Sequence, residues 1–114
     1  MDKTISYMIE IILDEQKIES DGKYSIQELY KTIDMYFLNY GIKKIKTVDT
    51  DSGKSVFYGC TEEQYGNFGY AYLTLFQKEW CRTYLKKYKY YSRSDTEKGK
   101  WYTENALEIL KQKM

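Results

Sequence analysis

The chain has 114 residues, 42% of them hydrophobic and 31% charged, with 14 tyrosines, no proline, no histidine and a net charge of +1. That length suits a single domain, 1–114, around one core, and no apolar run approaches the roughly 20 residues that a membrane-spanning helix needs. The lack of histidine excludes Ser-His and Cys-His nucleophile pairs, and with only Cys60 and Cys81 as thiols it excludes a structural zinc cluster.

The first element is expected over residues 5 to 13. Ile5, Tyr7, Ile9, Ile11 and Leu13 alternate with Ser6, Met8, Glu10 and Ile12, the period of a strand, although Ile5, Met8, Ile9 and Ile12 also fit a helical spacing. "ESDGK" then reads as a turn. Ser25 with Glu28 three residues later makes a capping box. Behind it, Ile26, Leu29, Tyr30, Ile33, Phe37 and Tyr40 form an apolar stripe that ends at Gly41, which predicts a helix over about 26 to 40. Residues 43 to 60 read as a hairpin with "DSGK" at its tip. Gly53-Lys54-Ser55 resembles the end of a phosphate loop, but Val48 stands where the first glycine belongs and a strand, not a helix, should follow.

Residues 61 to 77 admit two readings. Thr61 with Gln64 makes a second capping box before helically spaced Tyr65, Phe68, Tyr72, Leu75 and Phe76, whereas Phe68, Tyr70, Tyr72, Thr74 and Phe76 alternate like a strand. The helix is preferred, despite Gly66 and Gly69. A helix is predicted from 78 to about 92, then a polar loop "SRSDTEKGK", then a short helix capped by Thr103 with Ala106, Leu107 and Leu110 turned inward. Together these elements predict an α+β fold, a small antiparallel sheet packed with three to four helices.

Charge is segregated along the chain. Residues 1 to 41 carry a net −4 and residues 78 to 102 a net +5, so the basic segment either meets an acidic partner or neutralises the other end of its own chain. On a helical wheel Trp80, Cys81, Tyr84, Leu85, Tyr88 and Tyr91 fall on one side, and Arg82, Lys86, Lys89 and Arg93 within about 60° on the other, with Tyr90 flanking the basic stripe. The stripe, with Tyr90 or Trp101 as a stacking surface, is the candidate partner site. The plainer view is a solvated face, with Glu79 pairing Arg82. Among the tyrosines, Tyr30, Tyr40, Tyr84 and Tyr88 are expected in the core and Tyr58, Tyr65, Tyr90 and Tyr102 at the surface.

Enzyme chemistry has little to draw on. Glu62 and Glu63 are adjacent and would diverge by about 100° on a helix, and Asp49 and Asp51 sit at a turn where carboxylates are usually solvated. Cys60 and Cys81 read as two half-buried or buried thiols rather than a disulfide. "FGYAY" matches the RNA-recognition signature only at Phe68, Gly69 and Tyr70. No cofactor or metal is expected.

The stretches "SIQELYKTIDMYFLNYGIKK", "VFYGC" and "KEWCRTYLKKYKYYSRSD" resemble short uncharacterised proteins of low-GC Gram-positive bacteria and their mobile elements, a class that includes phage anti-defence proteins of the anti-CRISPR kind. The resemblance implies a small accessory protein that binds and blocks a large nucleoprotein machine. The expectation is therefore a non-enzymatic binding protein, an inhibitor or regulator acting on a protein or nucleoprotein complex. The alternatives are a single-stranded nucleic-acid (RNA) binder and a salt-sensitive homodimer. A cytoplasmic setting is expected, since "MDKTISYMIE" lacks the basic lead and cleavage site of a secretion signal.

Overall fold

The alternating residues at the start of the chain become the middle strand of a five-stranded sheet. A computed structural model describes residues 5–93 and 100–113. In it, β1 (Tyr7–Leu13) lies between β3 (Gly53–Cys60) and β4 (Leu85–Ser92), with β2 (Lys43–Thr50) and β5 (Tyr102–Asn105) at the edges. Every pairing is antiparallel. The helices are α1 (Glu15–Asp21), α2 (Ile26–Asn39), α3 (Tyr65–Gln77, entered through a 3-10 turn at Glu62–Gln64), α4 (Glu79–Tyr84) and α5 (Ala106–Gln112). The α+β class, the strand near 5–13 and the hairpin near 43–60 are as the sequence predicts.

Local chemistry explains most of the boundaries. Ser25 Oγ accepts the Glu28 N–H at 3.0 Å and opens α2, while Gly41 just past its end has φ +77°. Gln64 accepts the Thr61 N–H at 3.3 Å and donates to Gly41 O at 3.1 Å, so the capping residue of the third helix also ties down the end of the second. The "ESDGK" turn proves to be the end of a helix: Asp14 caps α1 and Gly22, at φ +67°, closes it by donating to Ile18 O at 3.1 Å. The final helix begins at Asn105, whose side chain accepts the Glu108 N–H at 3.3 Å, and Thr103 lies instead in β5. Most of the polar loop expected after Ser92 lies outside the described residues.

The main correction falls on the basic segment. The helix expected over 78 to 92 runs only from Glu79 to Tyr84 and becomes strand at Leu85, with no glycine, proline or asparagine at the switch. The competing demand is tertiary. β1 would otherwise leave one edge unpaired, and β4 completes it in the register Ile9↔Tyr90 and Ile11↔Tyr88. Tyrosine suits a half-buried strand, so the helical pattern of this tyrosine-rich run yields to such pairing.

Alternation along the sheet sorts the side chains into two faces. Ile9, Ile11, Val56, Tyr58 and Tyr88 point to the side covered by α2, α3 and α4, where they are buried. Phe37 stacks on Tyr58 with centroids 4.4 Å apart, and Phe76 on Tyr88 at 5.9 Å. The buried hydroxyls are satisfied: Tyr88 donates to Tyr72 O at 2.6 Å and Tyr58 donates to the Asp34 carboxylate. α1 packs against α2 and α4, and α5 against β4 and β5. Among the described residues no helix is long and apolar enough to cross a membrane.

Candidate functional site: the second face of the sheet

The other face of the sheet is built differently. By register it presents Met8, Glu10 and Ile12 from β1, Ser55 and Phe57 from β3, Lys87, Lys89 and Tyr91 from β4, and Lys43, Lys46 and Val48 from β2. Three rings on this side run in a row: Phe57 lies 6.0 Å from Tyr91, and Tyr91 meets Trp101 edge-on at 6.1 Å. Each ring carries its own cation. Lys46 Nζ sits 4.7 Å from the Phe57 centroid, Lys89 Nζ 5.2 Å from Tyr91, and the Arg93 guanidinium carbon 4.4 Å from Trp101. Each such pair contributes about 0.5–1 kcal/mol at an exposed site, enough to order the side chains and too little to lock them.

Glu10 is the carboxylate at the centre of this face. It accepts from Ser55 Oγ at 2.5 Å and from the Tyr91 hydroxyl at 2.7 Å, and pairs with Lys87 Nζ at 3.0 Å. Burial pushes its carboxyl up, but the hydrogen bonds from Ser55, Tyr91 and Lys87 outweigh this and hold it below the ordinary carboxylate range. With its oxygens engaged, Glu10 fixes the Tyr91 ring in place.

β2 closes this face at one edge through a bulge between Lys44 and Lys46. Ile45 there lies over Gly59, where a Cβ would come within 2.8 Å of Tyr7 O as well as striking the Ile45 side chain. The bulge separates Lys44, which turns to the helix side and pairs with Asp34 at 3.1 Å, from Lys46 on Phe57.

The structure disperses the stripe expected on the helical wheel. Arg82 closes the end of α3, donating from Nη1 to Phe76 O at 3.2 Å and Gln77 O at 2.5 Å. Lys86 is exposed near the hairpin tip, its Nζ 3.2 Å from Ser52 O. Tyr90 faces the helices, with Tyr72 at 5.5 Å and Phe68 at 6.2 Å, so it is not an outward stacking surface. Lys89, Arg93 and Trp101 do come together on the second face. Arg93 is also anchored there, its Nε donating to Ile5 O at 2.9 Å.

The tyrosines shift likewise. Tyr58, expected at the surface, is fully buried; Tyr84 and Tyr88 are core as expected; Tyr91, placed with the core on the wheel, is half-buried on the second face. Tyr65 and Tyr102 are exposed. Lys46, Phe57 and Lys87 escaped notice. The alternation Lys87-Tyr88-Lys89-Tyr90 and the pairing of "KKIK" with "VFYG" were the available signals, masked by the helical stripe running through Trp80, Tyr84 and Tyr88.

The remaining motifs resolve simply. Lys54 and Ser55 lie in β3, so Gly53-Lys54-Ser55 is a hairpin tip and no phosphate loop. "FGYAY" lies inside α3, which removes it as a strand of RNA-stacking aromatics. Cys60 and Cys81 are free and buried, and burial pushes each thiol up to about 12. No protein-family model matches this chain, and neither curated proteins nor solved structures give a significant match.

Proposed function

We propose that this protein is a non-enzymatic binding module, an inhibitor or regulator of the kind carried by mobile elements, whose second sheet face receives an anionic surface of a protein or nucleoprotein complex. The observation that carries this reading is the row of three rings, each under a cation. Aromatic area supplies rigid contact surface, the cations supply complementarity to negative charge, and the one central carboxylate is already neutralised by its neighbours. The nucleophile candidates support a non-catalytic role: the chain has no histidine, and both thiols are held protonated by burial.

The face also has a counterpart elsewhere in the fold. Asp14, Glu15, Glu19, Asp21, Glu28 and Asp34 belong to α1, α2 and the cap between β1 and α1, where Lys17 and Lys31 accompany them and Asp34 pairs with Lys44 at 3.1 Å. Lys46, Lys89 and Arg93 together favour an anionic partner on the second face. The test is a Lys46→Glu/Lys89→Glu double variant assayed by pull-down from a low-GC bacterial lysate with and without nuclease. Binding should be lost while the thermal midpoint stays within a few degrees of wild type; binding at wild-type strength would refute the assignment of this face.

A further inference from the structure

Resting on that reading of the face, we infer that its occupant is a single-stranded nucleic acid, with bases stacked on the half-buried Trp101 and Tyr91 and phosphates drawn to Lys46, Lys89 and Arg93. Single strands are held by a cationic track combined with aromatic platforms for successive bases, and both parts are present here on one surface. An acidic protein surface would use the cations but has no need of a ring beneath each one.

The geometry specifies how the exchange works. In the free protein Tyr91 and Trp101 are each covered by a cation, Lys89 at 5.2 Å and Arg93 at 4.4 Å, while Lys46, 4.7 Å from the buried Phe57, stands beside them as a third phosphate contact. A phosphate competes for the ammonium or guanidinium group, and the ring it leaves is free to take a base. Tyr91 is held for this by its hydrogen bond to Glu10 at 2.7 Å, and Arg93 by its bond to Ile5 O at 2.9 Å. The Tyr91 and Trp101 rings meet at 89°, so each takes one splayed base and no continuous stack forms. Splayed bases exist in single strands and not in duplexes, which makes the face selective for unpaired nucleic acid. The cations contact phosphate without reading base edges, so the preference among sequences is weak.

The test uses the full chain with a fluorescein-labelled octathymidylate, an octauridylate and an eight-base-pair duplex, followed by anisotropy at low salt. A Trp80→Phe background leaves Trp101 as the sole indole reporter. The expected result is binding of both single strands above the duplex, quenching of Trp101 emission, and an affinity falling with salt at a log–log slope of about −2 for three phosphate contacts. Trp101→Ala should weaken binding roughly 5- to 150-fold without changing the circular dichroism spectrum. Failure of both oligonucleotides to bind, or binding that ignores Trp101→Ala, overturns the inference. Polyglutamate serves as the second probe. If it binds, and Lys46→Glu/Lys89→Glu abolishes that binding while the oligonucleotides do not bind, the nucleic-acid inference falls and the broader reading of the face stands; if neither probe binds, both fall.

Discussion

The two faces of the sheet draw on the same residue types and treat them in opposite ways. On the helix side rings meet rings: Tyr58 lies against Phe37, Tyr88 against Phe76, and their hydroxyls are spent on Asp34 and on the backbone of Tyr72. On the second face each of the three rings meets a cation, as Tyr30 and Tyr36 also do on the helix side under Lys54 and Lys78, and Glu10, the only buried carboxylate among the described residues, is surrounded by donors. Helix-side contacts are close-packed and costly to disturb, whereas a cation on a ring is worth little and is exchanged readily. The rings thus fall into two groups: tyrosines such as Tyr58 and Tyr88 that build the core, and the trio Phe57, Tyr91 and Trp101, with one tyrosine among them, that sits under cations on the second face.

Substitutions should expose this difference. The largest contrast is Tyr88→Ala against Trp101→Ala. Removing the fully buried Tyr88 should cost about 3–5 kcal/mol, and truncating Trp101 under about 1 kcal/mol, read from urea unfolding of the two variants. Equal costs would show that the second face is structural core. Next is Gly59→Ala, which sits where the two edge-side strands crowd β1. The added Cβ meets the Tyr7 carbonyl at 2.8 Å, so a loss of about 1–3 kcal/mol is expected even though alanine is the smallest change possible.

The smallest effect is a pH dependence. Glu10 has its carboxyl held below the ordinary value of 4.5, so its stabilising contribution is present above that pH and disappears as pH falls through the lower folded value. Glu10→Gln should therefore destabilise by roughly 1–3 kcal/mol at pH 7, the worth of hydrogen bonds to a charged group. The gap between variant and wild type should close on acidification below pH 4.5. A gap that persists unchanged at low pH would assign the loss to packing and remove Glu10 as the anchor of Tyr91.

Much of the fold was legible because local signals agreed with tertiary ones. Ser25, Gly41 and the apolar stripe from Ile26 marked α2, and the alternating residues before Asp14 marked β1. The site was legible only in part. Trp101 was named as a stacking aromatic, but Lys89 and Arg93 were found through a helical wheel that does not exist beyond Tyr84, and the same wheel brought in Arg82 and Tyr90, which serve α3 and the core. The run Trp80 to Tyr91 satisfies both periods, and the choice was made by β1, some 75 residues away in sequence, whose edge needed a partner. Phe57, with Lys46 over it, becomes a neighbour of Tyr91 only through strand order, which no local pattern contains.

What remains to be decided by experiment is whether partners meet the second face or the helix layer. At 13.7 kDa the protein is well suited to amide chemical-shift mapping during titration with octathymidylate. The shifts should concentrate on Lys46, Phe57, Lys89, Tyr91, Arg93 and the Trp101 indole, with α2 and α3 unmoved. Shifts centred instead on the exposed residues of those helices, such as Leu38 and Tyr70, would contradict that expectation.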